Sequence, residues 1–328
     1  MRTLLRLLAS LAIAAGLLAL LFHWGDVSVA QVVESWEALR PEVWASALAV
    51  HFGIYLLRAL RFRVLLPPAS RPGLGALLSV SSAHNLAAYV LPAKTGEGTL
   101  VLYLRQVCGV AAREGLASLV VSRLLDLATL AFLLGASTLL LAQRGVLAGS
   151  WSWPLGAALG AASVTLLVLA SRSDLLVRAL TSVMRLLRLD ATRLGGKLHA
   201  KGDEVADALR FAGREGRLLR GAALSLPLWL GVFAFYLILA RGFGMGAEVG
   251  PIDATFASSW AVLANLLPIN GFAGAGTQEA GWIVGFELVG VERALALSTG
   301  LGAHLVQLAN VVLFGVLGHA AMALRKRV

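Results

Sequence analysis

Four ionisable side chains stand inside stretches that are otherwise apolar, where a charge is costly. Glu97 and Glu279 each follow a Leu-Pro turn and glycines, and Arg123 and Asp126 share a helix face because they are three residues apart. A carboxylate at such a depth either pairs with a cation or takes up a proton. We therefore expect these residues to bind a charged substrate, with proton coupling as a hypothesis for the glutamates. Helix capping by the glutamates and an internal ion pair of Arg123 with Asp126 are the structural alternatives.

Further candidates lie in the same turns and on nearby helices. Pro92 and Pro268 end helices. Gly96, Gly274 and Gly276 let backbone N–H groups point at an anion. Lys94 could add a point charge for a phosphate. Arg58 and Arg61 share a face and either clamp a headgroup or extend to the membrane interface. The remaining polar residues line a wet cavity or bond across helices: His84, Asn85, Asn265, Asn270, Gln278, His304, Gln307 and Asn310. Of these we expect Asn85 and Asn270 to contact substrate.

The composition places these residues in a membrane protein. Of the 328 residues 58% are hydrophobic and 14% are charged, whereas soluble domains carry about 25% charged residues. The net charge of +10 comes from basic stretches between apolar segments, and no basic face carries the interleaved aromatic residues of a nucleic-acid reader. Cys108 is the only cysteine, which excludes a disulfide within the chain and a thiolate metal cluster. Nucleotide-loop, zinc-helix and nucleophile-elbow motifs are absent, and we expect no cofactor and no metal.

Six apolar runs are long enough to cross a bilayer, which takes about 20 residues. They cover residues 4–24, 43–66, 115–142, 154–170, 221–240 and 294–324. A cleaved signal peptide is the alternative for the first run. Basic residues gather after the second run, at the C-terminus, and between residues 172 and 220, where eleven basic residues stand against six acidic ones. The positive-inside rule therefore predicts that both termini and this insertion are cytoplasmic. The insertion either lies on the leaflet as an amphipathic helix or is a solvated loop.

Two further apolar segments, residues 74–113 and 255–290, are each broken by a polar turn. The predicted orientation requires each segment to enter and leave the membrane on one side, so we expect re-entrant helical hairpins. Residues 1–142 and 143–328 then repeat the order span, span, hairpin, span, with the second copy inverted. We expect one all-α, polytopic integral membrane domain over residues 1–328, an inverted-topology repeat of about six full transmembrane helices and two hairpins. This pattern is typical of transporters with a site near the midplane.

Three stretches together resemble the lysylphosphatidylglycerol synthase transmembrane, or flippase-like, family: residues 85–97, Arg123 with Asp126, and residues 268–279. The resemblance covers nearly the whole chain and implies lipid translocation between leaflets. It carries substrate roles to Pro92, Gly96, Glu97, Arg123, Asp126, Pro268, Gly274, Gly276 and Glu279. Two positions depart from the family pattern: Ser122 stands where an acid usually precedes the arginine, and Leu100 where an arginine often follows the first motif. We expect no aminoacyl-transferase half in these 328 residues, since no soluble stretch is long enough.

We therefore expect a lipid flippase or transporter of the cytoplasmic (inner) cell membrane rather than an enzyme. The substrate would be an anionic or headgroup-modified lipid, and the family implies a phospholipid, a polyprenyl-phosphate-linked lipid or a hopanoid-type lipid. The alternatives are an integral-membrane transferase with Glu97 or Glu279 as general base, and a non-catalytic scaffold of lipid synthesis. Expected partners are the lipid substrate, the bilayer and lipid-synthesis enzymes, but no nucleic acid.

Overall fold

The computed structural model describes residues 29–37, 39–70, 72–147, 149–172, 208–212, 215–266 and 272–325, together with residues 174, 175, 178 and 182. All regular structure within these ranges is helical. The longer helices are α1 Val29–Glu37, α2 Pro41–Leu65, α3 Leu74–Val90, α4 Thr99–Cys108, α5 Ala112–Gln143, α6 Ser152–Ser171, α7 Glu215–Gly242, α8 Pro251–Leu266, α9 Thr277–Leu288 and α10 Arg293–Arg325. Three short 3-10 segments are Pro68–Ser70, Pro92–Gly98 and Phe272–Gly274.

Five helices are long and apolar enough to cross a membrane, namely α2, α5, α6, α7 and α10. At about 1.5 Å per residue, the 20 residues of α6 match the hydrocarbon core and the 32 residues of α5 exceed it. Large apolar side chains such as Phe132, Val164 and Leu317 remain exposed on these helices, as expected of residues that face lipid. The helices confirm five of the six predicted spans, and the first, residues 4–24, lies outside the described residues.

The ends of the spanning helices follow from their local sequence. Pro41 lies in the first turn of α2, where a missing N–H breaks no helical hydrogen bond, and α2 ends at Leu65 shortly before two prolines. Trp44, Trp151 and Trp153 are exposed near the starts of α2 and α6. Tryptophan favours the boundary between lipid and water, and the exposure of these side chains agrees with that preference.

The helices pack in pairs, and small residues lie at several of the contacts. α2 packs along α7, α3 along α10, α5 along α6, and α8 along α9. A Cβ atom at Gly281 or Gly285 of α9 would overlap the backbone of α8, so these two helices approach very closely. Gly318 of α10 lies over α3 in the same way, since its Cβ would stand 2.7 Å from the Ser79 carbonyl oxygen. Apolar side chains of α7, α9 and α10 surround Trp282 of α9 in one hydrophobic cluster.

Each of the two segments with a polar turn consists of two helices joined by a bend. In the first, α3 ends at Val90 before the Leu-Pro pair, Pro92–Gly98 forms the first turn, and α4 packs against α3. A Cβ atom at Gly96 would overlap the Ala87 carbonyl, so this turn lies directly on the end of α3. In the second segment, residues 267–276 join α8 to α9, and the described part of this connection, residues 272–276, is here called the second turn.

The limits of these segments differ slightly from the expected ones. α4 ends at Cys108 because Gly109 adopts a left-handed conformation, with φ of 67°, and its N–H bonds back to carbonyls of the last turn. Residue 113 therefore belongs to α5 and not to the first hairpin. α8 begins at Pro251, before the expected residue 255, because proline suits the first turn of a helix. Most of the basic insertion 172–220 lies outside the described residues.

Candidate functional site

Asp126, near the middle of α5, is the centre of a buried group of charged side chains. Its carboxylate accepts two hydrogen bonds from Arg61 of α2, at 2.6 and 3.1 Å, and one from Trp229 Nε1 of α7, at 3.1 Å. Arg61 also donates to Ser225 Oγ at 2.8 Å, and its side chain is 1% exposed. Arg61 therefore does not extend to the interface; its bidentate ion pair ties α2, α5 and α7 together.

Arg123 connects Asp126 to the first turn. Its guanidinium donates to Asp126 Oδ2 at 3.1 Å and to Glu97 Oε2 at 2.6 and 3.1 Å. The side chains of Arg123 and Glu97 are 42% and 35% exposed, so this pair can be reached from outside the helix bundle. The internal ion pair of Arg123 with Asp126, the structural alternative to a substrate role, is present. Glu97 pairs with a cation, whereas the start of α4 receives no hydrogen bond from a capping side chain.

His84 and Thr99 fix the first turn against α3. The Thr99 hydroxyl donates to the Gly96 carbonyl at 2.7 Å, and His84 Nδ1 lies 3.0 Å from the Thr99 oxygen. Because Thr99 has a single hydroxyl hydrogen and gives it to Gly96, His84 Nδ1 must be the donor in the second contact. His84 Nε2 lies 3.9 Å from the Glu97 carboxylate. The turn that carries Glu97 is thus anchored by a buried histidine.

Arg58 lies one helical turn before Arg61 and has a different environment. Its guanidinium donates to Asn85 Oδ1 at 2.9 Å, and Asn85 donates in turn to the Tyr55 hydroxyl at 2.8 Å. The ion pairs found among the described residues do not include Arg58. Its Nε atom is buried and has no hydrogen-bond partner there. Arg58 is therefore a cation with a neutral partner and with hydrogen-bonding capacity left over.

The arginine cluster, as we call this group, consists of Arg58, Arg61, Arg123, Glu97 and Asp126. Three guanidinium groups face two carboxylates, so one positive charge is unbalanced. At the centre of a membrane helix an isolated charge costs about 2.5–3.5 kcal/mol on insertion scales. An anion beside Arg58 would balance the charge and accept the hydrogen bonds that the protein leaves unused.

Glu279 and His304, here called the histidine pair, form a second polar centre at the start of α9. One Glu279 oxygen accepts the Gly276 N–H at 2.7 Å, so this glutamate does cap its helix, as the structural alternative predicted. The other oxygen lies 2.6 Å from His304 Nδ1, and His304 Nε2 lies 3.1 Å from the Ala273 carbonyl oxygen. Glu279 thereby occupies the anion position at the α9 N-terminus with its own carboxylate. Within the described ranges no third potential metal ligand joins the pair.

The backbone just before α9 adopts unusual conformations. Ala273 has a φ of 55°, and Gly274 and Gly276 have φ values of 88° and 83°. A residue with a side chain rarely adopts positive φ, and such outliers persist only where the surroundings enforce them. Here the Ala273 carbonyl contacts His304, and a Cβ atom at Gly274 would lie 2.5 Å from Asn265 Oδ1. The second turn is thus a constrained segment that the histidine pair helps to hold.

Gln307 of α10 forms hydrogen bonds with residues of α3, α7 and α9. Its Nε2 donates to the Tyr89 hydroxyl of α3, and its Oε1 accepts from Gln278 at 2.8 Å and from Tyr236 at 3.2 Å. Gln278 Oε1 accepts from Asn265 at 2.8 Å. Helix α3 also packs against Phe272–Gly274. Helix α3, which leads into the first turn, therefore contacts both the second turn and Gln307.

Most residues predicted from the sequence lie in these two centres. The contacts described above include Arg58, Arg61, Asn85, Gly96, Glu97, Arg123, Asp126, Gly274, Gly276 and Glu279. Pro92 and Lys94 belong to the first turn. Pro268 and Asn270 lie outside the described residues. The arginine cluster gathers the first-turn residues with two spanning helices, and the second-turn residues gather around His304.

Several partners in both centres escape a reading of the sequence alone. They are Tyr55, Tyr89, Ser225, Trp229 and Tyr236. Neutral hydroxyl and indole groups occur in many apolar helices, so residue type alone marks none of these five. His304 and Gln307 stand out only as members of a general polar set. A spacing signal exists for Tyr89, which follows Asn85 by four residues and therefore shares its helix face.

The comparison with curated proteins gives no significant match. The family model of the lysylphosphatidylglycerol synthase TM region matches residues 7–315, which is nearly the whole chain. The matched range contains the arginine cluster, the histidine pair and both turns. This match confirms the resemblance seen in the motifs and agrees with the long apolar helices. The chain is a multi-pass membrane protein that belongs to the lysylphosphatidylglycerol synthase transmembrane family.

Proposed function

We propose that this chain moves an anionic or headgroup-modified lipid between the two leaflets of the membrane, without changing it chemically. The observation that carries the proposal is Arg58, a guanidinium for which the described residues provide an amide partner but no carboxylate, on a helix long and apolar enough to span the membrane. A lipid phosphate would bind beside Arg58 and Asn85, near the more exposed Arg123, while the lipid tails stay in the bilayer. Membership of the family supports a role in lipid metabolism or transport.

We also propose an inverted repeat as the architecture of this transporter. Exchanging α2, α3, α4 and α5 with α7, α8, α9 and α10 leaves the pattern of contacts among these eight helices unchanged. The exchange pairs α3 on α10 with α8 on α5, α4 on α5 with α9 on α10, and α2 on α3 with α7 on α8. A two-fold relation between the halves requires this correspondence. The two broken segments would then be re-entrant hairpins that approach the midplane from opposite sides.

The proposed location is the cytoplasmic membrane, with both termini on the cytoplasmic side. The support is the distribution of charge, because basic residues concentrate in the stretches assigned to that side. The exposed Trp44, Trp151 and Trp153 lie near helix starts that this orientation assigns to the opposite face.

Reconstitution into liposomes tests the proposed function. Purified protein is incorporated with fluorescent phosphatidylglycerol or, in parallel, with fluorescent phosphatidylcholine. A membrane-impermeant quencher then measures how fast labelled lipid reaches the outer leaflet, and mass spectrometry checks that its mass is unchanged. We expect movement of phosphatidylglycerol that depends on the protein and is lost in Arg58→Gln. Arg293→Gln is the matched control, because Arg293 forms an exposed ion pair with Glu287 outside the cluster.

The other outcomes assign other functions. A covalent product would indicate a headgroup transferase, with Glu97 or Glu279 as the candidate general base. Neither movement nor a product would favour a scaffold of lipid synthesis. Equal loss of movement in Arg58→Gln and in the Arg293→Gln control would remove Arg58 from the proposed pathway.

A further inference from the structure

His304 lies between two groups that are both hydrogen-bond acceptors. Its Nδ1 faces a carboxylate oxygen of Glu279 at 2.6 Å, and its Nε2 faces the Ala273 carbonyl oxygen at 3.1 Å. A neutral imidazole has one N–H, so it can satisfy only one of these acceptors when Glu279 is ionised. Both contacts form together only if the pair holds an added proton, as an imidazolium beside a carboxylate or as a neutral ring beside a protonated acid.

We propose that Glu279 and His304 form a proton-binding site that couples lipid movement to proton movement across the membrane. This inference rests on the proposed function and adds the energy source to it. With the proton bound, the pair carries no net charge and holds the second turn through Ala273. When the proton leaves, the pair becomes an anion and one of the two contacts loses its hydrogen. The second turn is then no longer held at Ala273.

The conformation of the second turn depends on its contacts with the histidine pair. Glu279 holds the Gly276 N–H with its second oxygen, so the pair grips the turn at both Ala273 and Gly276. Ala273 has a positive φ that a residue with a side chain adopts only under constraint. Loss of the His304 contact removes one of those constraints. Protonation therefore selects between two arrangements of a segment that packs against α3.

Few other ionisable groups of the described residues face the pair. Glu279 and His304 are 2% and 5% exposed, and the sequence between Asp253 and Glu279 contains no ionisable residue. Asp253 itself lies at the opposite end of α8, where it binds the Gly250 N–H. From α7 and α3 come the phenols of Tyr236 and Tyr89, and both contact Gln307 instead of the pair.

The charged groups of α2 and α3 are likewise turned to other partners. Arg58 binds Asn85, Arg61 binds Asp126, and His84 contacts Thr99 near Glu97. Among the residues that the structure describes, no further ion pairs with Glu279 or His304, so the proton on the pair depends on the two partners themselves and on access to water.

Two hydrogen bonds and the spacing of residues along α3 and α9 connect the histidine pair with the proposed lipid site. Gln278, which precedes Glu279 in the chain, donates to Gln307, and Gln307 donates to Tyr89. Asn85 lies one helical turn before Tyr89 on α3, and it accepts the hydrogen bond of Arg58. A change in the position of the second turn can thus reach the guanidinium that would hold the lipid phosphate.

The first experiment compares liposomes with and without a pH gradient. Labelled phosphatidylglycerol should accumulate in one leaflet when a gradient is applied to wild-type protein. Glu279→Gln keeps an acceptor for Gly276 and a donor for His304 but cannot exchange a proton, and His304→Gln removes the ring; we expect both to lose gradient-driven accumulation. Glu287→Gln is the matched control on the same helix and should keep it. Lipid movement that ignores the gradient in wild-type protein would overturn the coupling while leaving the proposed function intact.

The second experiment detects the proton without lipid movement. Infrared difference spectra of the purified protein in nanodiscs, between acidic and alkaline buffer, should show carboxyl or imidazole bands that Glu279→Gln and His304→Gln both abolish. Glu287→Gln should retain those bands. Spectra of Glu279→Gln identical to wild type would overturn the proton site itself, whatever the lipid assay shows.

Discussion

The side-chain amide of Gln307 donates a hydrogen bond to the Tyr89 hydroxyl, although the two residues lie in opposite halves of the chain. Tyr89 stands one helical turn after Asn85, the partner of Arg58, and Gln307 stands one turn after His304. The hydrogen bond between Tyr89 and Gln307 therefore lies between the arginine cluster and the histidine pair, one helical turn from a member or partner of each. Variants in the arginine cluster should disturb lipid binding, and variants in the histidine pair should disturb proton uptake. A variant in the bond between Tyr89 and Gln307 should instead uncouple lipid binding from proton uptake.

Arg61→Met should destabilise the protein because it leaves the Asp126 carboxylate without its bidentate partner. Removing one member of a buried ion pair costs about 3–5 kcal/mol, and Asp126 keeps Arg123 and Trp229, which favours the lower end. The double variant Arg61→Met with Asp126→Leu removes both charges and should recover most of that loss. Thermal unfolding of the purified variants in one detergent measures the effect. A double variant less stable than Arg61→Met would contradict this account.

Charge and shape at Arg58 can be separated by Arg58→Lys. Lysine keeps the positive charge but lacks the planar fork that reaches Asn85 and a phosphate together. A hydrogen bond to a charged group contributes about 1.5–3 kcal/mol, so we expect Arg58→Lys to weaken lipid binding about tenfold or more. Arg58→Gln should weaken it further because the charge is also lost. Binding of labelled phosphatidylglycerol to purified protein measures both. Wild-type affinity in Arg58→Lys would reduce the role of Arg58 to charge alone.

The sequence is sufficient to single out the charged residues but not to pair them. A charge inside an apolar run is conspicuous because it is costly there, so Glu97, Arg123, Asp126 and Glu279 could be found without coordinates. The same reasoning treats Arg58 and Arg61 alike, since they share a helix face. Their tertiary contacts differ. Arg61 binds Asp126, 65 residues away, and is buried, so the prediction that its side chain extends to the membrane interface is wrong.

The neutral partners and the helix limits show where sequence reasoning stops. Whether Glu279 caps its helix or has a second partner could not be decided from the sequence, and it does both, because one oxygen accepts the Gly276 N–H and the other contacts His304. His304 is close to Glu279 only because α10 packs on α9. The five described spans, in contrast, follow directly from the length of their apolar runs, since twenty such residues admit few other structures.

Gly285→Ala should destabilise the pairing of α8 with α9. A Cβ atom at this position would overlap the Ala257 backbone, so the helices would have to separate. Overpacking of this kind costs about 1–3 kcal/mol. Gly53→Ala in α2 is the control, because nothing lies within 4 Å of its Cβ position, and alanine there should be neutral or slightly stabilising. Unfolding midpoints in detergent compare the two. A larger loss in Gly53→Ala would contradict the packing described.

The orientation can be tested with single cysteines. Cys108→Ser leaves no other cysteine in the chain, so a cysteine introduced at an exposed site reports that site alone. Arg144→Cys follows α5 and Arg172→Cys follows α6, and both residues are exposed. We expect an impermeant maleimide added to intact cells to label Arg144→Cys, and to label Arg172→Cys only after the membrane is opened. The reverse pattern would place the termini outside.

Tyr89→Phe should uncouple lipid movement from the pH gradient while leaving lipid binding nearly intact. The substitution removes the hydroxyl that Gln307 contacts, but it retains the ring and leaves Asn85 and Arg58 in place. Because the histidine pair is untouched, the infrared bands of proton uptake should persist. Labelled phosphatidylglycerol should still exchange between leaflets, but a gradient should no longer concentrate it. Tyr103→Phe is the matched control, since Tyr103 contacts His319 away from both centres. Gradient-driven accumulation at the wild-type level in Tyr89→Phe would show that the two centres communicate by another route.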